Sequence, residues 1–142
     1  MTINLKHGDC LELMKDIPDK SIDMILCDLP YGITDAKWDV VIPFDIMWDR
    51  ILSVVKDGAA IILFGTEPFS SKLRLSNHSL YRYDWYWQKD KGSNFLFGNK
   101  MPMKVIETAS VFYTKQPIYN PQKTDNPKGE STDIFFSFIT KS

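Results

Sequence analysis

Cysteine and histidine are scarce in this chain, with two of each in 142 residues. Cys10 and Cys27 lie in apolar or strand-end contexts, and the histidines are scattered. No metal-ligand spacing exists, so no metal site is expected. The two thiols read as reduced, semi-buried groups of a cytoplasmic protein. Long hydrophobic runs are also missing. None approaches the roughly 18 residues that a membrane-spanning helix needs, so no membrane association is expected. The start, "MTINLKHGD", lacks the cationic and apolar regions of a secretory signal. Hydrophobic residues make up 44% and charged residues 25%, ordinary values for a globular protein. The length suits one domain with a real core.

Net charge is small too, at −1, but it conceals an asymmetry. Residues 1–69 hold 6 Lys/Arg against 12 Asp/Glu, whereas residues 70–104 hold 7 against 2. That basic segment is rich in aromatics: Tyr81, Tyr83, Trp85, Tyr86, Trp87, Phe95 and Phe97. Basic groups interleaved with aromatic rings suit phosphates and unstacked bases. Lys89, Lys91 and Lys100 are the candidate DNA contacts. The alternative for "YRYDWYWQKD" is a solvated face over a core strand.

Strand and helix patterns alternate along the chain. "INLKHG" reads as a short first strand. "DCLELMKDI" reads as a helix with Leu11, Met14 and Ile17 on one face, Asp9 as N-cap and Pro18 as its stop. "SIDMILC" is nearly continuous in apolar residues, as for a central parallel strand. "PFDIMWDRILSVVKDG" is the clearest helix, with Phe44, Met47, Ile51, Leu52 and Val55 as its stripe and Gly58 closing it. "AAIILF" is a buried strand and "EPFSSKLRLSN" a shorter helix opened by proline. "YRYDWYWQ" and "VIETASVFYTK" read as strands that pair antiparallel at one edge through the 89–104 loop. Residues 123–142 read as an irregular tail, with "IFFSFIT" as a possible last strand. The alternation predicts a three-layer α/β domain with right-handed crossovers and a mostly parallel sheet. Ligands of such sheets sit at the carboxyl ends of the strands. Gly8-Asp9, Asp28–Gly32 and Gly65-Thr66-Glu67 all lie at such ends.

The stretch Asp28-Leu29-Pro30-Tyr31-Gly32 has the makings of a site for a base amine. Asp28 can accept one hydrogen bond from an exocyclic amine and the carbonyl of residue 29 a second. Tyr31 can stack on a base rotated out of a duplex. Pro30 fixes its own backbone and restricts Leu29. Catalysis by such a site comes from positioning and electrostatics. A plain turn after a strand is the competing reading of five residues.

The tetrapeptide Asp28-Leu29-Pro30-Tyr31 resembles the Asp/Asn/Ser-Pro-Pro-Tyr motif of the amino-methylating DNA methyltransferases, which use S-adenosylmethionine. The resemblance extends through "GDCLELMKDIPDKSIDMILCDLPYG", "KDGAAIILFGTEPFSSKL", "YDWYWQKDKGSNFL" and "ETASVFYTKQPIYNPQ", in the order of the permuted adenine-methylating group. It implies a Rossmann-like methyltransferase fold, with residues 1–122 forming the catalytic part. It implies methyl transfer to the 6-amino group of adenine in double-stranded DNA, as in restriction-modification systems. Asp28, Pro30 and Tyr31 would be catalytic. Asp9, Cys10 and Asp28 would lie against the donor, and Lys89 would line the mouth of the site.

Chain order agrees with the permuted class. Only 27 residues precede Asp28, too few for a glycine-rich donor loop, its helix and the next strand. The loop should therefore follow, yet the family's Phe-x-Gly-x-Gly signature is absent from the sequence. Leu29 also replaces the first proline, and Ile106 stands where many relatives have a histidine before the glutamate. The sequence thus reads as a C-terminally truncated member, weak or inactive alone, or completed by a homodimer or another chain. The alternatives are a non-catalytic nucleic-acid-binding remnant, or methylation of RNA or of a protein glutamine.

Overall fold

The computed structural model describes residues 3–93 and 95–121. Four strands form one mixed sheet: β1 (Ile22–Asp28), β2 (Val55–Gly65), β3 (Tyr81–Ser93) and β4 (Lys104–Phe112), in the order β1-β2-β4-β3. Three helices accompany them: α1 (Cys10–Leu13), α2 (Phe44–Val54) and α3 (Phe69–Ser76). β1 and β2 run parallel. β4 is antiparallel to both of its neighbours, β2 and β3. The β3–β4 pairing is antiparallel as expected, with Trp85 opposite Ala109 and Trp87 opposite Glu107, but β3 runs on to Ser93, which pairs with Lys104, so residues 89–93 are strand and not loop.

Helix α2 forms because apolar residues recur at helical spacing, and it buries Met47, Trp48, Ile51 and Val54. Burying Met47, Ile51 and Val54 stabilises by about 1.5–3 kcal/mol each. Trp48 meets Phe112 edge-on, with ring centroids 4.9 Å apart, and its indole N–H donates to Ser76 Oγ at 2.8 Å. That contact ties α2 to the end of α3. The main core joins α2, α3, Leu29 and one face of β2 and β4. A smaller cluster on the opposite face contains Ile62, Ala109 and Val111, with Phe64 and Trp85 against it. No described helix contributes to that second cluster.

Several expectations need correction. Residues 3–8 are not a strand, because their side chains stay exposed and meet no sheet edge. The helix at 10–17 is one α-turn, Cys10–Leu13, followed by a 3₁₀ turn, Met14–Asp16. α2 stops at Val54, and Gly58 lies inside β2 rather than closing the helix. Pairing with β1 pulls the 55–58 stretch into the sheet, with a register irregularity between Ile22 and Met24. Among the described residues the sheet is not mostly parallel: one of its three pairings is parallel. Nor is the apolar strand β1 central: it pairs on one side only, with β2, and Met24 and Leu26 are exposed, 55% and 58%. Residues 123–142, with "IFFSFIT", lie outside the described residues.

Candidate functional site

β1 ends at Asp28, opposite Phe64 of β2. The chain then turns through Leu29, Pro30 and Tyr31. Leu29 is only 8% exposed and belongs to the main core. A buried side chain thus anchors the turn to the core. The Tyr31 ring packs against Phe69 at the start of α3, with centroids 5.1 Å apart. Its hydroxyl donates to Asp28 Oδ1. Burial, that hydrogen bond and the nearby carboxylates of Asp28 and Glu107 push the Tyr31 phenol far above its ordinary range. Tyr31 therefore stays neutral and donating at any physiological pH.

Asp39 holds the loop that follows. Its carboxylate accepts from the backbone N–H of Gly32 at 2.8 Å, Ile33 at 2.9 Å and Thr34 at 2.7 Å, and from Thr34 Oγ1 at 2.7 Å. Asp39 is 7% exposed. The Thr34 hydroxyl, the Gly32 amide and then the other amides hold its carboxyl at about 2. Hydrogen bonds to the charged form outweigh the desolvation that opposes them. Gly32 has φ 68, and a Cβ there would come within 2.9 Å of Val41 Cγ2. Both conditions call for glycine. Asp28, Leu29, Pro30, Tyr31, Ile33, Thr34, Trp38 and Asp39 line one cavity of about 420 Å³.

The end of β2, Gly65 to Glu67, lines a separate cavity of about 350 Å³ with residues 103–106 and Thr108. A Cβ on Gly65 would lie 2.5 Å from Ser70 Oγ, so glycine lets α3 approach the strand end. Glu67 accepts from Ser71 Oγ at 2.7 Å and from Arg74 at 2.6 Å. The Ser71 hydroxyl and the Arg74 guanidinium hold its carboxyl below the usual range. Arg74 also reaches Asp84 at 3.2 Å, and Asp84 accepts from Ser110 Oγ at 2.6 Å. This chain of bonds fixes α3 to the β3–β4 hairpin.

Of the proposed donor contacts, Asp9 caps α1 by accepting from the Leu11 and Glu12 amides at 2.8 and 3.3 Å. Cys10 is exposed, against the expectation of a semi-buried thiol, and Cys27 is half-buried. Burial chiefly, and then Cys10 and Asp28, push the Cys27 thiol up. Of the proposed DNA contacts, Lys91 and Lys100 are exposed. Lys89 is paired with Glu107 at 2.6 Å, and both side chains are about three-quarters buried. Lys89 thus ties β3 to β4 through its ion pair. Among the described residues no group of three or more His, Cys, Asp or Glu could hold a metal ion. No described helix is long and apolar enough to cross a membrane. Asp39, Trp38 and Phe69 escaped the sequence reading. "GITDAKWD" contains a glycine, a threonine and an aspartate able to form such a cradle, but spacing alone does not say which of Asp35 and Asp39 turns inward.

No family model matches the chain. It is 29% identical over 79 residues to the type II methyltransferase M.BamHI of Bacillus amyloliquefaciens, covering 49% of this chain and 19% of that one. Its fold is similar to that of PvuII DNA methyltransferase (cytosine-N4-specific), with TM-score 0.60, 15% identity, and 78% and 49% of the two chains covered. It is similar also to M1.HpyAVI in complex with SAM, with TM-score 0.59, 17% identity and coverage of 85% and 60%. A putative DNA modification methylase of Thermus thermophilus, complexed with S-adenosyl-L-methionine, gives TM-score 0.56 at 12% identity, with coverage of 82% and 56%. The fold is thus similar to that of these methyltransferase structures, and over 79 residues the sequence is similar to that of a DNA methyltransferase. The chain spans about a fifth of M.BamHI and between half and three-fifths of the solved relatives.

Proposed function

We propose that this chain is the base-holding part of an amino-methylating DNA methyltransferase that uses S-adenosylmethionine and acts on adenine. The observation that carries this is the Asp28–Tyr31 turn at the carboxyl end of a parallel strand, with its acceptors and its ring facing one cavity. A base amine would donate to Asp28 and to the carbonyl of residue 29. To reach Asp28 Oδ1 it takes the place of the Tyr31 hydroxyl, which is then released while the ring stays on Phe69. Two acceptors orient the nitrogen lone pair away from the carboxylate. The new N–C bond forms as the methyl carbon–sulfur bond breaks, and the amine gives up one proton. Asp28 and solvent are the acceptors for it. Positioning carries most of the rate.

The donor supplies an activated methyl group. Asp9, Cys10 and Asp28 suit its adenosine end. No Phe-x-Gly-x-Gly turn occurs in residues 1–142 to close around the methionine end. In this reading that end is held by another polypeptide that supplies such a turn. The chain alone therefore transfers methyl groups poorly.

Asp as the first residue of the tetrapeptide resembles adenine-specific members. Transfer to the 4-amino group of cytosine is the second reading, favoured by the likeness to a cytosine-N4-specific enzyme. Both bases present an exocyclic amine to the same two acceptors. Digesting methylated DNA to nucleosides and separating N6-methyladenine from N4-methylcytosine decides between them. Adenine product supports the first reading; cytosine product alone replaces it with the second.

A further inference from the structure

We propose that Trp38 is the second aromatic wall of the base pocket that Tyr31 also lines. This deepens the assignment of Asp28 and Tyr31 as the base-holding element and rests on it. Trp38 is 75% exposed, whereas Trp48 is 5% exposed and Trp87 43%. An indole can bury some 150–250 Å² of surface, and most of that capacity is unused here. Nor is Trp38 on a loose loop. The next residue, Asp39, is held by four hydrogen bonds, and its own N–H donates to the Ala36 carbonyl at 2.9 Å. The backbone thus presents the ring from a fixed point.

Trp38 lines the same cavity of about 420 Å³ as Asp28, Pro30, Tyr31, Ile33 and Thr34. That volume lies within the range of small-molecule clefts. The cavity joins two aromatic rings to a carboxylate, a combination that suits a planar heterocycle carrying an amine. Stacking on an indole is tolerant of base identity, because every base has a π-face. Trp38 therefore adds affinity for an unstacked base, while Asp28 reads its amine.

The test follows tryptophan fluorescence of the full chain during titration with an oligodeoxyadenylate of about 12 nucleotides, a length within known single-strand site sizes. An abasic oligomer of equal length and charge serves as the reference. The wild-type chain should bind the adenine oligomer more tightly and be quenched by it. Trp38→Phe should keep the affinity within about threefold but lose most of the quenching. Trp38→Ala should lose about 10-fold toward the adenine oligomer and nothing toward the abasic one. The ring is exposed, so neither variant should unfold. Asp28→Ala is titrated alongside. If Trp38→Ala binds both oligomers as the wild type does while Asp28→Ala loses the preference for bases, Trp38 is no part of the pocket and the base-holding element stands. If the wild type itself shows no preference for bases over the abasic backbone, both assignments fall.

Discussion

The carboxylate of Asp39 accepts the backbone N–H of Gly32 at 2.8 Å, across seven residues of loop. Through that bond, and three more to Ile33 and Thr34, one side chain sets the path of the chain leaving Tyr31. Asp39→Ala removes every acceptor of the cradle, and Asp39→Asn keeps one oxygen. A displacement of about 1 Å at Tyr31 costs on the order of 100-fold in transfer rate. Base binding and methyl transfer should therefore fall most in Asp39→Ala and less in Asp39→Asn, while far-UV circular dichroism stays unchanged. Equal activity of all three proteins would show that the loop holds itself.

Acid should release the same loop. The Asp39 carboxyl titrates at about 2 when folded, against roughly 3.9 for a free aspartate. A depressed folded value means the stabilising contribution is present above about pH 4 and is lost as pH falls through about 2. The amides of Gly32, Ile33 and Thr34 should shift together in an NMR titration with a midpoint near 2. A midpoint near 4 would mean that the carboxylate gains nothing from the cradle.

Much of this was legible in the sequence, and the reasons differ by element. α2 and the centre of β2 declare themselves through periodicity and an unbroken apolar run. The β3–β4 pairing was legible from alternation, but not the continuation of β3 through the polar residues 89–93. The Asp28–Tyr31 turn was legible because an acid and a proline directly after an apolar strand have little use in packing, although that strand is an edge with Met24 and Leu26 exposed. The strand at 3–8 failed because its short apolar pattern has no partner edge. Gly58 misled because a glycine after a helix and one inside an irregular strand look alike in sequence. Asp39 was invisible because its role depends on which of two nearby aspartates turns inward. The Lys89–Glu107 pair, 18 positions apart, needed the register of two strands.

Leu29 is buried in the main core, so its side chain should matter for stability. Leu29→Ala should destabilise by about 2–5 kcal/mol, the usual range for a buried leucine. Leu29→Pro removes the same core contact while stiffening the turn. Urea unfolding midpoints of the three proteins check this. An unchanged midpoint for Leu29→Ala would show that the turn is not anchored through the core.

Gly65 is the contact point between β2 and α3. Gly65→Ala puts a methyl 2.5 Å from Ser70 Oγ and 3.2 Å from Phe69 Cδ1. Ser70 Oγ is also bonded to Thr108 Oγ1 at 3.0 Å, so it does not move freely. Overpacking of this kind costs about 1–3 kcal/mol. The displaced Phe69 should also disturb its partner Tyr31, which the ring shifts of both residues would report.

DNA affinity should fall with salt through exposed lysines rather than the paired one. Each phosphate contact adds about 0.9 to the slope of log affinity against log salt. Lys91→Ala with Lys100→Ala should lower that slope by about 2, whereas Lys89→Ala should change affinity mainly by leaving Glu107 unpaired. A slope unaffected by the double substitution would move the phosphate contacts off this surface.

The central claim is that Asp28 holds the amine that receives the methyl group. Its most direct test uses DNA and methyl-labelled S-adenosylmethionine, with the chain supplemented by a polypeptide carrying a Phe-x-Gly-x-Gly loop, its helix and the next strand. Labelled amino-methylated base should appear in the supplemented mixture and remain at trace level with either component alone. Asp28→Ala should abolish it, since removing the acceptor leaves the amine unoriented. Undiminished methylation by Asp28→Ala in that mixture would contradict the account.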